Sequence, residues 1–335
     1  MTDGLVVNSM LRRIAIVVVS LLGLAVGQAV AAEPVMKVTL LGTAGPEYFP
    51  DRLGISTLIE ASGELLLFDV GRGTNQRLYQ SRVNPKDIAK IFLTHLHSDH
   101  IEGLPNLWMT PWFLLGRDHG LELWGPEGTP EMVAGMRTMF GHDLKMRVNQ
   151  FNPVATLDIK THIIGDGTVY EHNGLKVTAF PVEHADGNPA FGYRVDWNGH
   201  SVVLSGDTTL NDNVIKHGTG ADLIVHNVIA FSDRLSQIPE MKGVLAKLTT
   251  PEQAAEVFTR AKPKLAVYSH IVTKELQGKK GEDEIVARTR AAGYGGPLVM
   301  GVDRMRIEIG DSVKVIAPQP LDDLPNLDSK GQPFP

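Results

Sequence analysis

The stretch Thr94-His95-Leu96-His97-Ser98-Asp99-His100, directly after the apolar run Ile91–Leu93, constrains this chain more than any other. A short continuous apolar run reads as a buried strand, so three imidazoles and a carboxylate leave a sheet at its edge. His95 and His97 are two positions apart and face the same way on extended backbone. Asp99 and His100 then turn toward an adjacent position. Buried without partners, such groups would each carry a heavy desolvation cost, so the cluster reads as a metal site. Cysteine is absent, which removes thiolate ligands and any disulfide framework and leaves His, Asp and Glu as metal donors.

Three more polar residues stand just past apolar runs. His184 follows Leu175–Val182, Asp207 follows Val202–Leu204, and His270 follows Leu265–Tyr268. Singly, each reads as a cap or a loop residue. Together with the cluster they supply ligands for two metals sharing a carboxylate.

Around these positions the pattern alternates strands and helices. Strands are predicted at Lys37–Leu41, Leu121–Trp124, Ala190–Trp197, Ser201–Ser205 and Leu223–Val225, with a β-rich stretch over Val154–Ile164. A hairpin is predicted around Ser62-Gly63. Helices are predicted at Gly73–Ser81, at Thr129–Phe140 with Thr129 as cap, and at Pro251–Ala261 capped by Thr250. One α/β unit over 36–316 is expected, followed by a loose tail over 317–335. At the other end, Arg12 and Arg13, the apolar run Ile14–Val26 and the small residues Ala29 and Ala31 predict a cleaved signal peptide over 1–31. The alternative is an uncleaved anchor, for which the run is short against the ~20 residues of a span. The mature protein is expected to be periplasmic or secreted, with no stable membrane anchoring.

With the motifs set out, the sequence resembles the metallo-β-lactamase superfamily from about Val38 to Ile309, with Asp69 in Phe68-Asp69-Val70-Gly71 as a further motif. The resemblance implies an α/β fold, a four-layer αββα sandwich. It implies that His95, His97 and His184 hold one metal, that Asp99, His100 and His270 hold another, that Asp207 bridges them, and that Asp69 orients the site. Two Zn²⁺ ions are expected, with Mn²⁺ as a substitute. Such a pair lowers the pKa of a shared water and neutralises charge on a reacting oxygen. Relatives that reduce oxygen carry Glu at the His97 position, so His97 favours a hydrolase. Asp99 and His226 are the residues expected to serve catalysis. For His226 the readings are a general acid or ligand-orienting group, or a satisfied core histidine.

Local strings such as Leu41-Gly42-Thr43-Ala44-Gly45 and Ser205-Gly206-Asp207-Thr208 resemble the ribonuclease Z group. Two departures stand against that group's reaction. Only 23 positions separate His184 from Asp207, which leaves no room for its tRNA-gripping arm. Lys247-Leu248-Thr249-Thr250 holds no counterpart of its extra catalytic His, and His226-Asn227 stands where a His-Glu pair is expected. The formal net charge of −6 excludes a generally basic nucleic-acid-coating protein, though not a local basic groove. The expectation is therefore a secreted two-metal hydrolase acting on a small anionic or ester substrate, a phosphodiester or a small sulfate ester. Nucleic acid is not expected as a partner, and a homodimer is expected by analogy only. The alternatives are a lactone or ester hydrolase, a ribonuclease Z-like nuclease without the arm, and a noncatalytic metal-stabilised binding protein.

Overall fold

Alternation along β1 (Met36–Gly42) sends Met36, Val38 and Leu40 to one face and Lys37 and Thr39 to the other. The computed structural model describes residues 35–276, 278–322 and 324–325. The signal peptide predicted over 1–31 and the end of the predicted tail lie outside them. Next to β1 lie β2 (Ser56–Ala61) and β3 (Glu64–Phe68), joined by the predicted Ser62-Gly63 turn. Beyond them run β4 (Lys90–Phe92), β5 (Leu121–Gly125) and β6 (Ile159–Ile163). A second sheet of seven strands holds β7 (Gly167–His172), β8 (Leu175–Val182), β9 (Ala190–Trp197), β10 (His200–Leu204), β11 (Leu223–Phe231), β12 (Leu265–Lys274) and β13 (Leu298–Met300). The chain then returns to the first sheet through β14 (Met305–Ile309) and β15 (Val313–Ile316), so that sheet has eight strands in the order β15-β14-β1-β2-β3-β4-β5-β6. Both sheets are mixed. In the first, β3 to β6 pair in parallel; in the second, β10 to β13 do.

The sheets pack face to face through Val38, Ile59, Phe68 and Phe92 on one side and Val177, Tyr193, Val202 and Val267 on the other. The outer face of the first sheet is covered by α1 (Thr74–Gln80), α3 (Leu104–Leu115) and α4 (Thr129–Met139), with α2 (Ser98–Ile101) at its edge and α5 (Gly141–Arg147) following α4. The outer face of the second is covered by α6 (Asp212–Gly218), α9 (Pro251–Ala261) and α10 (Gly278–Ala291). Between α6 and α9, α7 (Asp233–Ser236) and α8 (Pro239–Leu245) pack on Ile229 and Phe231. This is the four-layer αββα sandwich of the metallo-β-lactamase fold. Among the described residues no helix is long and apolar enough to cross a membrane.

Several local readings change. Thr129 does not cap α4. Gly128 precedes the helix with a φ of 95°, and the Thr129 hydroxyl donates to the Pro126 carbonyl at 2.7 Å. Residues 154–157 form a turn of 3₁₀ helix before β6 rather than strand. Trp108 and Trp112 are buried against the first sheet and donate their indole N–H to the Leu157 and Pro153 carbonyls. They pack the fold. The described part of the tail lies on the domain, where Tyr79 Oη donates to the Pro325 carbonyl at 2.6 Å.

Helix α9 matches its prediction at both ends. Thr250 accepts from the Gln253 N–H, and the Gln253 side chain accepts from the Thr250 N–H, a capping box. Ala254, Val257, Phe258 and Ala261 then fall on the buried face. Thr250→Ala is expected to cost about 1 kcal/mol, read as a lowered urea midpoint at an unchanged slope.

Candidate metal centre

Most residues of the cluster follow strand ends, where the strand peptides have run out and side chains take over the bonding. After β3, Asp69 adopts a left-handed φ of 56°. Its carboxylate accepts from the Thr94 N–H at 2.8 Å, from the Thr94 hydroxyl at 2.9 Å and from His100 Nδ1 at 2.8 Å. Thr94 thus spends its only hydroxyl proton on Asp69, and His95 Nδ1, 3.1 Å from that oxygen, must be the donor to it. His184 Nδ1 lies 2.9 Å from the Lys247 carbonyl, which can only accept. In His95, His100 and His184 the outer nitrogen is therefore fixed as a donor and Nε2 turns inward.

The second sheet supplies the remaining members. His184 follows β8 and Asp207 follows β10. His270 lies within β12 at a break in register: Asn227 pairs with Ser269 but Val228 pairs with Ile271, so His270 is an extra residue with no opposite number. It is a β-bulge with a φ of 44°, and the bulge turns its ring out of the ladder. Gly187 makes room on the other side, because a Cβ there would stand 2.1 Å from the His184 ring and 2.9 Å from that of His97.

Three groups of donor atoms lie within 4.8 Å of one another and could hold an ion: His95, His97 and His184; His95, His100 and Asp207; and Asp99, His100 and His270. Asp207 Oδ2 is 3.2 Å from His270 Nε2, 3.5 Å from His100 Nε2 and 3.6 Å from His184 Nε2, so it sits between the outer triads. All seven predicted positions are brought together. His226 is not among them. It lies in β11, buried behind the cluster, with Nδ1 donating to the Asn227 carbonyl at 2.8 Å and the ring edge-on to Phe258.

The charges follow the geometry. Burial pushes His95 well below the ordinary histidine value, and the neighbouring imidazoles add to that. Burial opposes charge on His100 and His270 too, but the carboxylates outweigh it: Asp69 and Asp207 raise His100, and Asp207 and Asp99 raise His270. Asp99 and Asp207 are held below the usual carboxylate range by those histidines against the opposing effect of burial. Burial alone brings His226 down to about 4.

Two contributors carry no mark in the sequence. The Lys247 carbonyl that fixes His184 is a main-chain atom, and any residue could offer it. The Lys247 ammonium, where a catalytic His was sought, pairs with Asp186 at 2.7 Å beside His184. Asp303 anchors the loop after β1, accepting from the Thr43 N–H and hydroxyl, the Leu53 N–H and Arg77.

Residues 63–271 match the Beta-lactamase superfamily domain. A ribonuclease Z of Mycobacterium marinum is 33% identical over 279 residues, covering 82% of this chain and 99% of that protein. One of Mycobacterium avium is 33% identical over 281 residues, covering 82% and 98%. The human tRNase Z short form superposes with a TM-score of 0.61 at 25% identity over 82% of this chain and 99% of that one. The metallo-β-lactamase fold protein YhfI of Bacillus subtilis gives 0.62 at 18% over 81% and 98%, a likeness of fold. These relatives overturn the expectation that nucleic acid is no partner. A net charge averages over the whole surface and does not report a local groove, and a missing arm removes one grip only. A small sulfate ester as substrate finds no support among them.

His226 yields a pH signature of its own. With a folded value near 4 against about 6.5 unfolded, its contribution is complete above pH 6.5 and is lost as pH falls toward 4. The stability difference between wild type and His226→Leu is expected to shrink by about 1–3 kcal/mol across that window in paired urea titrations.

Proposed function

The chain belongs to the metallo-β-lactamase superfamily of metal-dependent hydrolases, and from that premise we propose that it is a ribonuclease Z-like nuclease that hydrolyses phosphodiester bonds in RNA. The observation that carries the hydrolytic part is a cluster of buried, unpaired donors. His95 Nε2, His100 Nε2 and Asp207 Oδ1 are buried with no hydrogen-bond partner. A folded protein keeps so many unsatisfied polar atoms together only where a ligand answers them. Imidazole and carboxylate donors without thiolate fit Zn²⁺, and Mn²⁺ less closely. In this reading His95, His97 and His184 hold one ion, Asp99, His100 and His270 another, and Asp207 lies between. RNA as the substrate rests on the ribonuclease Z relatives.

Bound divalent cations supply Lewis acidity toward a phosphoryl oxygen and an activated water at neutral pH. The chain's own part is arrangement. Asp69 and the Lys247 carbonyl hold the protons of His100 and His184 on the outer nitrogens, so each ring keeps one orientation. The bulge fixes His270 between Asp99 and Asp207, 3.2 Å from a carboxylate oxygen of each. Asp207 brings negative charge to a place ringed by histidines, which balances the positive charge of a loaded site. His226, neutral at pH 7, lines the same small cavity as Asp69, His100 and Asp207.

The full chain, purified and loaded with zinc, is expected to cleave a precursor tRNA. Asp207→Ala is expected to lower the rate at least ~100-fold, and a chelator to abolish it until zinc is restored. Intact RNA after incubation with zinc-loaded wild type overturns the assignment of substrate. Cleavage that survives both the chelator and Asp207→Ala overturns the assignment of site.

A further inference from the structure

The outer face of the first sheet is left open by the helices at one edge. There β1, β14 and the turn after α1 enclose a cavity of about 220 Å³. Lys37, Arg82, Arg304 and Arg306 line it, with Glu60 as the only carboxylate among the described residues of its wall. Arg306 also pairs with Glu308 at 2.8 Å, and Arg304 Nη1 and Arg82 Nε donate to Gln319. The inner nitrogens stay unanswered: the Nε of Arg304 and that of Arg306 are both buried without a hydrogen-bond partner. On a chain with a formal charge of −6, four cations around one hollow run against the overall balance. Three guanidiniums and an ammonium around one hollow are the kind of groups that a phosphate accepts from.

The pocket lies away from the metal centre and is joined to it by a short run of strand and hydrogen bonds. Thr43 lies six positions beyond Lys37, roughly 20 Å along the direction of β1. Arg304 follows Asp303, which holds the Thr43 N–H, and the Thr43 carbonyl accepts from Ile271, the residue after His270. Between His184 and Asp207 there is only a 3₁₀ turn, the β9–β10 hairpin and short loops, with no inserted arm. Any hold on a large substrate away from the scissile bond comes from the body of the domain.

We propose that this pocket binds the phosphate backbone of the RNA substrate at a distance from the cleaved bond. The inference rests on the reading of the chain as an RNA hydrolase. It takes phosphate contacts to position the substrate and carries no sequence preference.

The test is fluorescence anisotropy of a labelled precursor tRNA on the full chain, in an Asp207→Ala background so that the RNA stays whole. Arg82→Gln/Arg306→Gln is expected to weaken binding about tenfold or more. It is also expected to flatten the dependence of log affinity on log salt by about 1 per cation removed. Lys37→Gln serves as a second variant that leaves the Arg306–Glu308 pair intact. With Asp207 restored, turnover of bis(p-nitrophenyl) phosphate, too small to reach the pocket, stays unchanged in the double variant. Equal affinity and equal salt slope overturn the proposal. So does calorimetry in which inorganic pyrophosphate binding is lost in the variant while RNA binding is kept, since the pocket then serves a free phosphate. If wild type cleaves RNA and the double variant does so with the same KM, only the pocket falls. If wild type neither binds nor cleaves RNA, the substrate reading falls with it.

Discussion

The carboxylate of Asp69 is the joint on which the centre turns. It is buried, it stands at the end of β3 on a left-handed backbone, and it receives the Thr94 N–H, the Thr94 hydroxyl and His100 Nδ1. Those bonds tie the end of β3 to the loop that leaves β4 and to α2, which carries Asp99 and His100. The main chain repeats the tie, with Asp69 N donating to Phe92 and Val70 N to His100. Because the Thr94 hydroxyl proton is committed to Asp69, the tautomer of His95 is committed too. A single acceptor thus sets two of the rings that face the centre.

The centre is also a seam. The first sheet brings Asp69 and the 95–100 cluster, and the second brings His184, Asp207 and His270. Neither set is a site without the other, so the apolar interface of Val38, Phe68, Phe92, Tyr193 and Val267 fixes the geometry as surely as any hydrogen bond. Two polar links reinforce the seam where it meets the cluster: Tyr193 Oη to the Leu93 carbonyl at 2.7 Å, and Phe191 N to the Thr94 carbonyl at 2.9 Å. The opposed charges of the cluster then act over short distances in a buried setting, where they are strong.

Much of this was legible in the chain, and the reasons differ by position. Strands β8 and β9 agree with the reading at both ends, since both are rich in apolar residues and turn residues bound them. Helix α9 agrees because its cap and its apolar face are local signals. Strands β11 and β12 extend well beyond Val225 and Tyr268, where the apolar runs were taken to end. They continue through His226, Asn227, Ser269 and His270, polar residues that mark the site and hide the strand. The convergence of the His and Asp residues was legible where they follow strand ends that collect on one rim, whereas His270 joins them through a bulge inside β12. The Lys247 carbonyl was not, being a backbone atom, nor was Asp303, whose partner Thr43 stands 260 residues away in sequence.

The bulge at His270 has a bearing on how the second sheet assembles. On either side of it, β11 and β12 pair in two different phases, five residue pairs before and four after. A uniform parallel pairing can slide by two residues and still keep every side chain on its proper face. A pairing with a one-residue offset built into it cannot, because any slip displaces the offset from its mate. The surplus residue that aims an imidazole therefore also works as a vernier, giving two long, buried strands one alignment out of several.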